Sequence, residues 1–430
     1  MSAYFPYEAT NKQEQRIQSG QGSNRGNLLS AVYEIICGGS VDWFPAERNQ
    51  MIYRVTRISI ANVSSVLSLS AMAAMLFLSA CSSAVPSAET AETAALSTGE
   101  ESSETAAPSG SEDSVRSVVN FDHELDSYVP RRNHYNFYFT YKTVHPWWDA
   151  VALGMEEAQR QYLERGVTVT YEYMAPEAAS AEDQAQRLFA AEQENYDVIG
   201  VDVADEKIIS PLLDQMIEDG QNVMTFSSSD AAPGCRRIAY VGNTHNYQDG
   251  VDLTEALCEK LGYRGKIAIL VGSVGAPCHE DRARGAMDAI AKYDEMEIVA
   301  KEYDMDSVDL AYDLTKKILE DCPDLDGIVC CNMSNPVGAA RAVTETGSSA
   351  VIVGMDHDEE ALHYLDEGVI YCLGVQDCYS IGFDTIQTAV KIADGNAAGD
   401  LFPEKTDEIT TVIYQKDAAQ MLELLYGDIS

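Results

Sequence analysis

The chain has 430 residues, of which 69 are acidic and 29 basic, giving a formal net charge of −40 at pH 7. A surface that acidic repels phosphate backbones and excludes a nucleic-acid partner. Apolar residues make up 46% of the chain, enough for a sizeable core. The ten cysteines lack tandem CxxC spacing, which argues against a metal cluster or a disulfide scaffold and leaves buried thiols as the default.

Residues 1–50 are polar and aperiodic, and are read as a mis-annotated or disordered extension, with Met51 the more plausible start. Residues 51–80 have the layout of a secretory signal: Arg54 and Arg57 flank an apolar run at 63–78 that ends in Leu78-Ser79-Ala80-Cys81. The run is short for a membrane span. It resembles the lipobox of bacterial lipoproteins, which implies lipidation at Cys81 and an extracytoplasmic chain anchored to the cell membrane. Residues 81–133 are rich in Ser, Ala, Thr and Glu with no aromatic before Phe121. They are expected to form a disordered acidic tether.

From residue 135 the pattern changes. Extended segments are expected at 135–141, 167–173, 197–203, 222–227 and 237–241, with helices at 147–165, 182–195, 208–218 and 248–261 between or after them. The rhythm repeats with strands at 266–271, 297–303, 327–331, 351–355 and 368–375. Helices are expected at 281–292, 310–320 and 336–345, with a short one before 368. A long helix at 380–393 then precedes an extended tail at 410–414. Short β-rich runs alternating with longer helices indicate an α/β fold of two doubly wound parallel-sheet lobes.

In such sheets ligands bind beyond the carboxyl ends of the strands. Those positions hold Tyr141, Lys142, His145, Trp147 and Trp148, then Ser227, Ser228 and Asp230. Arg282 and Arg284 follow the Gly272–Gly275 turn, and Asn332, Asp356 and Gln376 close the set. Indoles stack on the C–H face of a sugar ring, while carboxylate, guanidinium and carboxamide groups divide its hydroxyls.

With these residues in place the chain, over about 135–425, resembles type I periplasmic binding proteins of the ribose-, galactose- and xylose-binding branch. His145-Pro146-Trp147-Trp148 looks like the family's NPFF segment, with His145 in place of the usual Asn. Ala283-Arg284-Gly285 resembles its ERG turn, and Asn332, Asp356 and Gln376 sit where the family places its own Asn, Asp and Gln. After the fourth strand, Ser227-Ser228 departs from the Asp-Arg or Asp-Ser pair of many relatives. The resemblance implies two lobes joined by a three-crossing hinge: residues 134–243 with 377–405, and residues 244–376 with 406–430. It also implies an extracytoplasmic solute-binding component of an ABC importer. Such a protein is a monomer that takes a monosaccharide or polyol by hinge closure and hands it to permease and ATPase subunits. A sugar or signal receptor reporting to a membrane sensor kinase or chemoreceptor is the rival.

Motifs that suggest other chemistry fail. Residues 262–266 end in Gly-Lys but lack the Ser or Thr of a phosphate loop and enter a strand. Gly272–Gly275 lacks the spacing of a nucleophile elbow. Asp304, Asp306 and Asp309 mimic a calcium loop without its Gly and Glu. Cys278-His279-Glu280 reads as a surface turn. No nucleophile–base pair stands out, so no catalytic residue, metal or cofactor is expected, and the chain is not expected to be an enzyme.

Overall fold

In the computed structural model of the chain the described residues are 118–176 and 180–427. The extension at 1–50, the signal segment with Met51 and Cys81, and most of the tether lie outside them.

The first sheet comprises β1 (His134–Thr140), β2 (Thr168–Met174), β3 (Val198–Val201), β4 (Val223–Ser227), β5 (Tyr240–Gly242) and β11 (Lys405–Asp407). Its order is β11-β5-β4-β3-β1-β2, and every pairing is parallel. Helices α1 (Trp147–Glu164), α2 (Ala181–Glu192), α3 (Glu206–Glu218) and α9 (Cys378–Ala393) accompany it. Because both faces are covered, Tyr135 and Phe137 to Thr140 of β1 are buried, His134 and Asn136 alone reaching toward solvent. Tyr135, Phe137 and Phe139 feed one buried cluster, and Tyr138, pointing the other way, feeds a second.

The second sheet repeats the plan with β6 (Gly265–Leu270), β7 (Met296–Glu302), β8 (Gly327–Cys330), β9 (Val351–Met355), β10 (Ile370–Gln376) and β12 (Thr410–Tyr414). The order is β12-β10-β9-β8-β6-β7, with β12 antiparallel to β10. Its helices are α4 (Asn246–Lys260), α5 (Pro277–Ile290), α6 (Val308–Asp321), α7 (Ser334–Thr346), α8 (Glu359–Asp366) and α10 (Gln415–Tyr426). Ile267 and Ile269 pack on one face, Ala268 and Leu270 on the other.

One close helix crossing in each lobe is made possible by glycine. A Cβ on Gly154 of α1 would lie 2.0 Å from the Tyr379 carbonyl oxygen of α9, and one on Gly285 of α5 would lie 2.1 Å from that of Tyr247 in α4. The chain passes between the sheets after Gly242, at Asp377, and after Asp407. Lys405 to Asp407 pair with Tyr240 to Gly242, so the third crossing falls at Glu408–Ile409, later than the expected position near Lys405.

Two further expectations change. Residues 118–133 are a docked strap rather than tether. Val118, Val119 and Leu125 are buried, Phe121 packs edge-on against Tyr379 at 4.9 Å, and His123 stacks on Phe383 at 5.0 Å. Asp126 pairs with Lys391 at 2.6 Å, and Arg165 donates to the Leu125 and Asp126 carbonyls. Helix α10, absent from the sequence reading, is begun by Asp417, which accepts the Tyr414 main-chain N–H at 3.0 Å.

Candidate functional site

The carboxyl ends of the two sheets face one another across a cleft. It is lined by Lys142, Thr143, His145, Trp147, Trp148 and Ser228 from the first lobe and by Asp306, Asp356 and Gln376 from the second. The space left between the lobes is about 20 Å³, room for little more than a water molecule. The lobes touch across it. Trp147 Nε1–H donates to Asp356 Oδ1 at 3.1 Å, and the Ser229 hydroxyl approaches Cys278 Sγ at 3.1 Å.

The aromatic wall is built by the first turn of α1. Trp147 and Trp148 meet edge to face at 4.7 Å, and Tyr141 stacks behind Trp148 at 4.5 Å and 21°. Burial pushes the Tyr141 phenol up to about 12. Trp148 Nε1 is buried with no protein partner, a donor left for whatever enters the cleft.

Charges in and behind the cleft are answered by the protein itself. Lys142 Nζ lies 3.0 Å from Asp202. Burial works against its charge, but the Asp202 carboxylate outweighs it and holds the ammonium above its ordinary range. Burial lifts Asp202 to about 6, against the pull of Lys142. Asp356 Oδ1 accepts Gln376 Nε2–H at 2.6 Å, and Gln376 Oε1 accepts Arg282 Nη2–H at 3.0 Å. Arg282, 2% exposed, also donates to the Cys331 carbonyl. Asp306 accepts from Asn332 Nδ2 at 2.6 Å and from the Ser273 hydroxyl. Burial would raise its pKa, but His279, His145 and the Ser273 bond hold it below the usual carboxylate range. A cleft whose charges are matched internally does not call for a charged ligand.

The expected site residues divide into three groups. His145, Trp147, Trp148, Ser228, Asp356 and Gln376 line the cleft. Tyr141, Ser227 and Asn332 stand one layer behind. Ser227, at φ 79°, directs its hydroxyl to Asp202, and Asn332 holds Asp306. Asp230 and Arg284 are elsewhere. Asp230 is clasped by Arg237 at 2.7 Å and Lys405 at 3.0 Å, so it fastens the outer edge of the first sheet. Arg284 is exposed, pairs with Asp281 at 2.8 Å and lies over the Tyr247 ring. The guanidinium behind the cleft belongs to Arg282.

Sequence reasoning placed Lys142 among the strand-end groups, passed over Thr143 and dismissed Asp306 as a failed calcium loop; all three line the cleft. The strand-end rule that selected the others applies to Asp306 as well, since it follows β7. Cys278 and His279, expected on a surface turn, are 1% and 4% exposed, because the first turn of α5 points into the interlobe contact. The eight cysteines among the described residues are free thiols.

Three comparisons bear on identity. D-allose-binding periplasmic protein of Escherichia coli (strain K12) is 27% identical over 214 residues, 48% of this chain and 61% of that one. Xylitol-binding protein of Mycolicibacterium smegmatis is 28% identical over 162 residues, 37% of this chain and 45% of that one. The chain thus spans less than two thirds of the length of these curated relatives. The solved structure of GanP, a glucose-galactose binding protein from Geobacillus stearothermophilus, superposes with a TM-score of 0.60 at 27% identity, covering 66% of this chain and 99% of GanP. The two-lobe α/β architecture is therefore that of type I periplasmic binding proteins. The family model described as periplasmic binding protein domain matches residues 137–397, more than half of the chain, and the protein belongs to that family.

Proposed function

We propose that the chain is the solute-binding component of an ABC importer, working outside the cytoplasmic membrane and closing its lobes on a monosaccharide or related polyol. It catalyses nothing, and permease and ATPase subunits complete the system. The observation that carries this reading is the cleft itself, where an indole wall from one lobe meets Asp356 and Gln376 of the other. An apolar face beside directional acceptors and donors suits a ring that is apolar on its C–H face and hydroxylated at its rim. The names of the relatives, which speak of allose, xylitol, glucose and galactose, point to the same class of ligand.

The test is a thermal-shift and calorimetric panel of D-ribose, D-allose, D-glucose, D-galactose, D-xylose and xylitol at pH 7.5. At least one is expected to raise the melting temperature, and Asp356→Ala to abolish that rise. A panel without a single stabilising member, with amino acids or nucleosides binding instead, sinks the reading.

A further inference from the structure

Trp147 is held at two points. Its main-chain N–H donates to His145 Nδ1 at 3.1 Å, and its indole N–H crosses the cleft to Asp356. Since Nδ1 accepts the first bond, the ring of the closed form carries its proton on Nε2 and is neutral. A second proton would set one N–H against another and release the turn that aims the indole.

We propose that His145 is a positioning residue that links lobe closure to proton release, so that the protein captures its ligand near neutral pH and yields it in mild acid. The inference rests on the reading of the cleft as the ligand site. Lys142 at the end of β1, Asp306 after β7, Asp356 at the end of β9 and His279 on α5 all face the imidazole. The two carboxylates favour a charged ring, whereas burial, Lys142 and His279 oppose it. Burial is the largest of these, and it holds His145 below the ordinary imidazole range. The ring is half-buried in the closed form; when the lobes part it is wetted further and its proton affinity returns toward about 6.5. The closed form then binds protons more weakly than the open one. Below the open-form value closure must expel a proton, so acid favours the open lobes. Between pH 7.5 and pH 5.5 this weakens ligand binding by up to about tenfold.

The panel sugar that binds at pH 7.5 is titrated at both pH values, and at pH 6 in two buffers of different ionisation enthalpy. The wild-type protein is expected to bind up to about tenfold more weakly at pH 5.5 and to release up to about one proton per sugar at pH 6. His145→Asn is expected to show neither effect. Wild-type affinity that is flat with pH overturns the inference and leaves the function intact. If no panel sugar binds, the function fails and the inference is tested alone by closing the lobes chemically. Ser229→Cys placed opposite Cys278 is oxidised to a disulfide, and His145 is followed by nitrogen NMR. In the crosslinked protein the ring is expected to stay neutral at pH 5.5, and in the reduced protein to charge. A charged ring in the crosslinked form overturns the proposal.

Discussion

Arg282 and Arg284 lie two positions apart on one helix and point to nearly opposite sides of it. Arg282 joins Gln376 and the Cys331 carbonyl in the interior, while Arg284 rests on Tyr247 at the surface. Replacing Arg282 with Met leaves Gln376, Asp249 and Asp356 without their cation. The expected cost is about 3 kcal/mol of stability, read from urea unfolding. Arg284→Ala is expected to stay within about 0.5 kcal/mol. Equal effects would return the guanidinium of the site to position 284. Trp147→Phe keeps the ring but removes the donor to Asp356. It is expected to weaken sugar binding about tenfold while the melting temperature of the free protein changes little. Most of the cleft was legible at this scale, because the strand-end rule and the family motif act on adjacent residues. Helix register was not legible, since an offset of two residues turns a side chain from core to solvent. Nor was the fate of Asp230, which Lys405 reaches only once β11 has joined the first sheet.

The strap is the element that composition conceals. Residues 118–133 contain few apolar groups, but Val118 and Val119 join the buried cluster of the second lobe and Leu125 that of the first. Asn120 N–H donates to Asp377 at the second crossing, and His123 bonds to the Ser380 hydroxyl just beyond it. The strap therefore runs past the second crossing and is fastened to both lobes. A chain beginning at residue 134 is expected to lose at least about 4 kcal/mol relative to one beginning at residue 118, the burial of three aliphatic side chains. Calorimetric melting of the two proteins checks this, and matching melting temperatures would reduce the strap to a passenger. The alternating βα elements were readable because period and length differ between strand and helix. The three-residue β11 carries too little periodicity to read, and α10 is specified by a capping contact and by packing on α8.

Across the whole molecule, the pH dependence of stability follows from carboxyl groups gathered at the crossings. Glu408, in the third crossing, shares a hydrogen bond with Asp384 of α9, and Asp377 and Asp407 add negative field. Burial first, then the Asp384 charge, pushes Glu408 up to about 9. Burial also lifts Asp202 and Asp304 to about 6. Each of these groups holds a proton in the folded chain that it has already lost in the unfolded chain at the same pH. Stability therefore falls as pH rises from the ordinary carboxylate range, near 4, to about 6 for the two aspartates and to about 9 for Glu408. The slope is at most about 1.4 kcal/mol per pH unit for each proton involved. Self-repulsion of a chain carrying −40 acts in the same direction, since its negative charge grows with pH. Thermal unfolding at constant ionic strength is accordingly expected to place the optimum on the acid side of neutrality, with a decline between pH 7 and 9. Glu408→Gln keeps a hydrogen bond to Asp384 without a titratable proton, and should flatten that decline while leaving the melting temperature at pH 5 almost unchanged. A variant that declines as steeply as the parent would move the cause from the third crossing to the distributed surface charge, and the same melts in high salt would then remove it by screening.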